Sequence, residues 1–60
     1  MIEVRCYDKE EFNRSFNTPQ MALRFMYDMR NKGIMVLGYS CNDPYDNQWI
    51  DRRLKLWIIS

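Results

Sequence analysis

Apolar and polar residues alternate at the start of the chain. Ile2, Val4 and Cys6 are apolar, and they are separated by polar or amphipathic residues. A period of two is typical of a strand that buries one of its two sides. The pattern therefore predicts a strand over residues 2–7, with Tyr7 on the side opposite the apolar residues.

Residues 8–17 fit two structures. Asp8 and Glu11 have the spacing of a capping box, and Phe12 and Phe16 would share one face of a helix. The same phenylalanines would also share one side of a strand, and the Asn, Ser and Thr residues around them are poor helix formers. We favour a hairpin whose loop lies around Asp8 to Glu11, with a short helix as the alternative.

The clearest signals in the chain are those of a helix over residues 19–32. Thr18 is a good N-cap and Pro19 suits the first helical position. Gly33 is a typical stop signal. The helix has an apolar stripe with helical spacing and a separate apolar flank. The stripe comprises Met21, Ala22, Phe25, Met26 and Met29, and the flank comprises Leu23 and Tyr27.

A nearly unbroken apolar run, Ile34 to Cys41, follows the glycine. Such a run predicts a central strand or one covered on both faces. Gly38 within it is typical of a bulge or of a close approach between two backbones. Residues 42–47 are rich in turn formers and include Pro44, which predicts a loop.

The end of the chain predicts another strand. Residues 48–53 could begin that strand or form a short helical turn, and residues 54–59 alternate with a period of two. Leu54, Leu56 and Ile58 would point to one side, and Trp57 and Ile59 to the other. Both sides of this strand would then be apolar.

Together these elements predict a single α+β domain spanning residues 1–60, in the order β(β)αββ. One helix, about residues 19–32, would cover one face of a small, mainly antiparallel sheet of three or four strands, in an order that the sequence leaves open. Because a single helix covers only one face of a sheet, the apolar second face would need another partner.

The small size of the chain supports the same conclusion. A 60-residue chain buries only about 60% of the surface that its unfolded form exposes, so its core is thin. Domains of this size are often stabilised by disulfides, metals or association. With two cysteines and no histidine, association is the support that we expect.

Composition also bears on location and redox state. The apolar fraction is 47% and the charged fraction is 28%, values typical of a folded, soluble protein. The N-terminus lacks the apolar region of a signal peptide, so we expect a cytoplasmic protein without a membrane segment. Cys6 and Cys41 are then expected to be reduced and to pack as small hydrophobic residues.

The residue inventory argues against most catalytic chemistry. Without histidine, the commonest general base is missing, and neither cysteine has a recognisable activating neighbour. Two glycines cannot form a phosphate-binding loop, so no cofactor is implied. Asp43, Asp46 and Asp51 could attract a divalent ion, but turns favour aspartate for backbone reasons. We therefore expect a protein that is not an enzyme and has no metal site.

Two binding hypotheses remain. The less favoured is a single-stranded nucleic-acid binder, because basic residues lie close to aromatic residues near the C-terminus. Its candidate residues are Trp49, Arg52, Arg53, Lys55 and Trp57. The net charge of +1 and the neighbouring aspartates argue against this function.

The favoured hypothesis is a small protein-interaction protein, expected to form a homodimer. Its predicted contact residues are Trp57, Ile59 and Tyr7, with Leu23 and Tyr27 as a second patch. Aromatic residues are enriched at the energetic centres of interfaces, and methionines pack adaptably. Small α+β proteins without catalytic motifs are common in phages and other mobile elements, where they often occupy a host protein. An adaptor or inhibitor of a host protein is thus one form of this hypothesis.

Overall fold

The computed structural model describes the backbone of residues 1–59 and the side chains of residues 1–55. Three strands and two helices follow one another in the order ββαβα. Their bounds are β1 Ile2–Asp8, β2 Glu10–Phe16, α1 Pro19–Asn31, β3 Met35–Cys41 and α2 Pro44–Ile59. The α+β class is confirmed, but the predicted single helix and final strand are wrong.

The three strands form one antiparallel sheet in the order β2-β1-β3. The hairpin predicted for residues 8–17 is confirmed, since β1 pairs with β2 from Ile2↔Phe16 to Asp8↔Glu10. Its turn is tighter than expected and places Lys9 at a φ of 66°, in the left-handed region. Because β2 and β3 both run antiparallel to β1, they are parallel to each other, and α1 connects them.

Helix α1 begins and ends at the predicted signals. The Thr18 hydroxyl accepts a hydrogen bond from the Met21 amide (3.3 Å), and Pro19 occupies the first turn. At the other end, Gly33 has a φ of +79° and donates its amide to Arg30, while Ile34 donates to Met29. This pair of bonds is a Schellman motif, which a residue tolerant of positive φ permits.

Helix α2 replaces both the loop predicted around Pro44 and the strand predicted over residues 54–59. Asp43 is its N-cap, because a carboxylate oxygen of Asp43 accepts from the Tyr45 amide (2.9 Å) and its carbonyl accepts from the Asn47 amide (2.9 Å). Pro44 therefore occupies the first helical position, as Pro19 does in α1. The turn formers of residues 42–47 predicted a loop, but Asp43 and Pro44 begin a helix instead.

Burial along the described part of α2 follows the helical period. Asp46, Trp49, Ile50, Arg53 and Leu54 are the residues shielded from solvent, and they recur every three or four positions. Six alternating residues at the C-terminus are too few to outweigh this longer pattern. The predicted opposite orientations of Leu56, Trp57 and Ile59 depended on a strand, and those side chains lie outside the described residues.

The core lies between the sheet and both helices. Ile2, Val4 and Cys6 of β1 are buried with Ala22, Met26 and Met29 of α1, and Ile50 of α2 joins the same cluster at 0% exposure. Phe16 of β2 adds a tilted ring contact with Phe25 of α1, with 5.1 Å between centroids. Both helices therefore lie on one face of the sheet, and no described element covers the other face.

The N-cap of α2 provides a direct test of this helix. Replacing Asp43 with alanine removes the acceptor for the Tyr45 amide, and we expect the free energy of unfolding to fall by about 1 kcal/mol. Asp43→Asn should retain most of the stability, because asparagine caps equally well. Asn42→Ala is the matched control, with a change within about 0.5 kcal/mol. Urea unfolding measures all three, and an unchanged Asp43→Ala would contradict the cap.

Candidate protein-contact surface

The face of the sheet opposite the helices, here called the outer face, carries three large exposed apolar side chains. Tyr7 of β1 is 47% exposed, and Met35 and Leu37 of β3 are 62% and 44% exposed. Tyr7 and Met35 are partners across the β1–β3 ladder, so they are immediate neighbours. Apolar side chains grouped on one open face are typical of an interaction surface.

A bulge in β3 shapes this face. The β1–β3 register runs from Arg5↔Gly38 directly to Cys6↔Val36, so Leu37 is an extra residue without a partner. The shift allows Val36 and Tyr39 to share the core side, while Met35 and Leu37 point outward. The sequence associated Gly38 with a bulge or a close approach, and the bulge lies at the neighbouring residue, Leu37.

Charges of both signs surround the apolar group. Glu3 and Arg5 alternate with the buried residues of β1 and so point to the outer face, and Glu11 is the β2 partner of Tyr7. A Cβ at Gly38 would lie 3.2 Å from an Arg5 guanidinium nitrogen, so this side chain extends across the glycine. A face with both signs can complement a second copy of itself.

The predicted contact residues formed two patches, and the described members of these patches lie on opposite sides of the sheet. Tyr7 lies on the outer face as predicted, but Tyr27 (39% exposed) belongs to α1 on the opposite side of the sheet. Leu23 is only 6% exposed, so its predicted place in an exposed patch is wrong. Helix α2 lies beside α1 on the same face of the sheet and enlarges the apolar layer to which α1 belongs. The side chains of Trp57 and Ile59 lie outside the described residues.

Sequence reasoning missed Met35 and Leu37. The run that contains them was predicted to be a central or doubly covered strand, whereas β3 is an edge strand with one open face. An apolar run alone cannot distinguish these cases. Met35 and Leu37 could have been identified only by showing that no second layer covers the outer side of β3. That conclusion depends on where the C-terminal segment folds.

The residues proposed for nucleic-acid binding lie on a helix rather than on a sheet. The Arg53 guanidinium lies 3.5 Å from the centroid of the Trp49 ring and donates to the Trp49 carbonyl (3.2 Å). This cation–π contact covers one face of the indole that a base would need for stacking. Arg52 and Lys55 are exposed on the same helix. Trp49, Arg52, Arg53 and Lys55 therefore belong to α2 and not to a strand of the sheet.

Two of the three aspartates that were considered as ligands for a divalent ion have other roles. Asp43 caps α2, and Asp51 accepts a hydrogen bond from the Tyr39 hydroxyl (2.5 Å). The same hydroxyl lies 2.8 Å from the side-chain oxygen of Asn47. Among the described residues, no three Cys, Asp or Glu side chains are grouped so that they could hold a metal ion.

The fold holds the two cysteines apart as free thiols. Cys6 is fully buried, and this burial raises the pKa of its thiol, although the Arg14 guanidinium partly opposes the shift. Cys41 is half-buried, and its Sγ lies 3.4 Å from the Asp43 carbonyl. In the ladder, Cys41 pairs with Ile2, four residues from Cys6, which separates the two thiols by roughly 13 Å. Both thiols are free, as expected.

Comparison with known proteins gives no relative: no family model, curated protein or solved structure matches this chain. Of the helices described, none has the length and apolar character needed to span a membrane.

The Tyr39 contact links β3 to α2 and predicts a pH dependence. Burial raises the pKa of Tyr39 above its ordinary value of 10.0, and the hydrogen bond to Asp51 adds to the shift. The unfolded chain therefore loses this proton at a lower pH than the folded chain. The contribution of Tyr39 to the free energy of unfolding is full below about pH 10 and declines as the pH rises further.

We therefore expect Tyr39→Phe to lower the free energy of unfolding by about 1 kcal/mol at pH 7 and to weaken its decline above pH 10. Tyr45→Phe is the matched control, because Tyr45 is 83% exposed and should leave both values unchanged. Urea unfolding at a series of pH values gives both quantities. Identical pH curves for Tyr39→Phe and the wild type would show that the hydroxyl does not bond in this way.

Proposed function

We propose that this chain is a small, non-enzymatic interaction protein that associates with a second copy of itself through the outer face. The observation that supports the proposal most is the grouping of Tyr7, Met35 and Leu37 on a sheet face that no described element covers. The core on the other side of the sheet is thin, so burial of the outer face would add to the stability of the fold.

The charges of the outer face favour a second copy as the partner. Glu3, Glu11 and Arg5 surround the apolar group, and a two-fold arrangement lets the arginine of each copy approach an acidic residue of the other. A face with a single sign of charge would repel its own copy. This mixed pattern also differs from the uniformly basic surface that nucleic acids select.

The size of the face sets the expected strength. Three strands of seven residues extend over roughly 24 by 14 Å, or about 340 Å² in projection on each copy. Standard interfaces bury about 800 Å² on each partner, so this one belongs with the small, weak class. We therefore propose a dimer that dissociates on dilution rather than a permanent one.

Sedimentation velocity across about 5 to 500 µM chain tests the proposal, since weak interfaces dissociate in this range. We expect the wild type to pass from monomer to dimer and Tyr7→Glu to stay monomeric, because two copies would bury the introduced carboxylates. Tyr7 is 47% exposed and outside the core cluster, so the variant should fold.

Tyr45→Glu is the matched control, because Tyr45 is exposed on α2, away from the outer face, and should dimerise like the wild type. A wild type that stays monomeric at 500 µM would overturn the choice of a second copy. Dimerisation that Tyr7→Glu leaves unchanged would overturn the choice of the outer face.

A further inference from the structure

A groove of about 700 Å³ runs along the free edge of β3. Every residue from Met35 to Tyr39 lines it, including side chains that point to the core and side chains that point outward. Consecutive residues from both sides of a strand line one groove only when it follows the edge of that strand. The groove therefore lies where a fourth strand would add to the sheet.

The two edges of the sheet differ in their charge. The opposite edge strand, β2, contains Glu10, Glu11 and Arg14, and charged residues of this kind prevent pairing with another chain. By contrast, β3 contains no charged residue. Among the described residues, only the β3 edge combines an uncharged strand with an adjoining groove.

Both sides of the groove are mainly apolar. Met26 of α1, Ile34 before β3 and Leu54 of α2 lie on the helix side, and Met35 and Leu37 of β3 lie on the outer side. Each side also carries one arginine, which is Arg30 of α1 on the helix side and Arg5 of β1 on the outer side. No acidic residue is among the described residues that line it.

This pattern defines the chemistry of an occupant. Successive side chains of an added strand point alternately toward the helices and toward the outer face. Those facing the helices would meet apolar side chains and Arg30, and those facing outward would meet Met35, Leu37 and Arg5. An extended segment that carries both apolar and acidic residues would satisfy both sides, and its backbone would bond to the edge of β3.

A second copy fits this groove poorly. If β3 paired with its two-fold mate, the added strand would be uncharged and would offer no carboxylate to Arg5 or Arg30. The charge pattern therefore favours a different protein here, even though the outer face favours a second copy.

We propose that the β3 edge binds an extended segment of another protein, with apolar and acidic residues, as a fourth strand of the sheet. The proposal goes beyond the dimer, because it concerns another partner and the edge of the sheet, although this edge shares Arg5, Met35 and Leu37 with the outer face. Arg5 is the residue that selects acidic side chains, and Gly38 leaves the space in which its guanidinium reaches the edge. The bulge at Leu37 shortens the regular ladder, so binding is weak.

The experiment uses the full chain and labelled seven-residue peptides with blocked ends, measured by fluorescence anisotropy. One peptide alternates Val and Glu, and its matched control alternates Val and Lys. We expect the acidic peptide to bind about tenfold more tightly, a difference of about 1.4 kcal/mol. Equal affinities, or no binding of the acidic peptide at millimolar concentration, would overturn the proposal.

Backbone pairing has its own control. Only alternate amides of an added strand face β3, so two acidic peptides are made, one N-methylated at its Val residues and one at its Glu residues. We expect one of the two to lose binding, because its methyl groups replace the amide hydrogens that face the strand. If both bind like the parent peptide, strand addition is wrong.

Variants then locate the site. Arg5→Gln should weaken the acidic peptide about fivefold. Arg14→Gln, on the other edge, is the matched control and should bind normally. Tyr7→Asn removes the ring from the outer face without placing a charge beside Arg5, and it should also bind the acidic peptide, which separates this site from the dimer. A thymidine oligonucleotide that binds more tightly than the acidic peptide would overturn the proposal in favour of a polyanion site.

Discussion

The burial of Ile50 is the constraint on which the rest of the structure depends. This side chain has no exposed surface and belongs to the same cluster as Val4 and Met26, so α2 must lie on the same side of the sheet as α1. Burying one isoleucine contributes roughly 1.5 to 3 kcal/mol, more than the Asp43 cap or the Tyr39 hydrogen bond. Apolar packing therefore places α2, and the polar contacts determine where it begins and how it lies on β3.

Local signals in the sequence predict most of the first 41 residues. The alternation of Ile2, Val4 and Cys6 and the caps at Thr18 and Gly33 each determine an element through neighbouring residues alone. The C-terminal segment differs because two periods compete there. Its short alternation predicts a strand, whereas the spacing of Trp49, Ile50 and Leu54, together with the Asp43 cap, produces a helix. The sequence predicted that one face of the sheet lacks a covering layer, because a single helix covers only one face. That face is open in the described structure, but the reason is that two helices share the other face.

The contact surface was only partly predictable, because it depends on long-range arrangement. Tyr7 could be assigned to the outer face from the period of β1. Met35 and Leu37 could not be assigned, since their exposure depends on β3 being an edge strand. That position follows from β1 pairing on both sides, which no local pattern reveals. The bulge that turns Leu37 outward also brings Arg5 to Gly38, so one irregularity shapes both the outer face and the β3 edge.

The most direct test of this arrangement is a nuclear magnetic resonance measurement of backbone chemical shifts for residues 44–59, with contacts from the Ile50 methyl groups. We expect helical shifts throughout this segment, and contacts from Ile50 to Val4 and Met26. Extended shifts over residues 54–59, or Ile50 methyl groups without contacts to β1 and α1, would contradict the placement of both helices on one face.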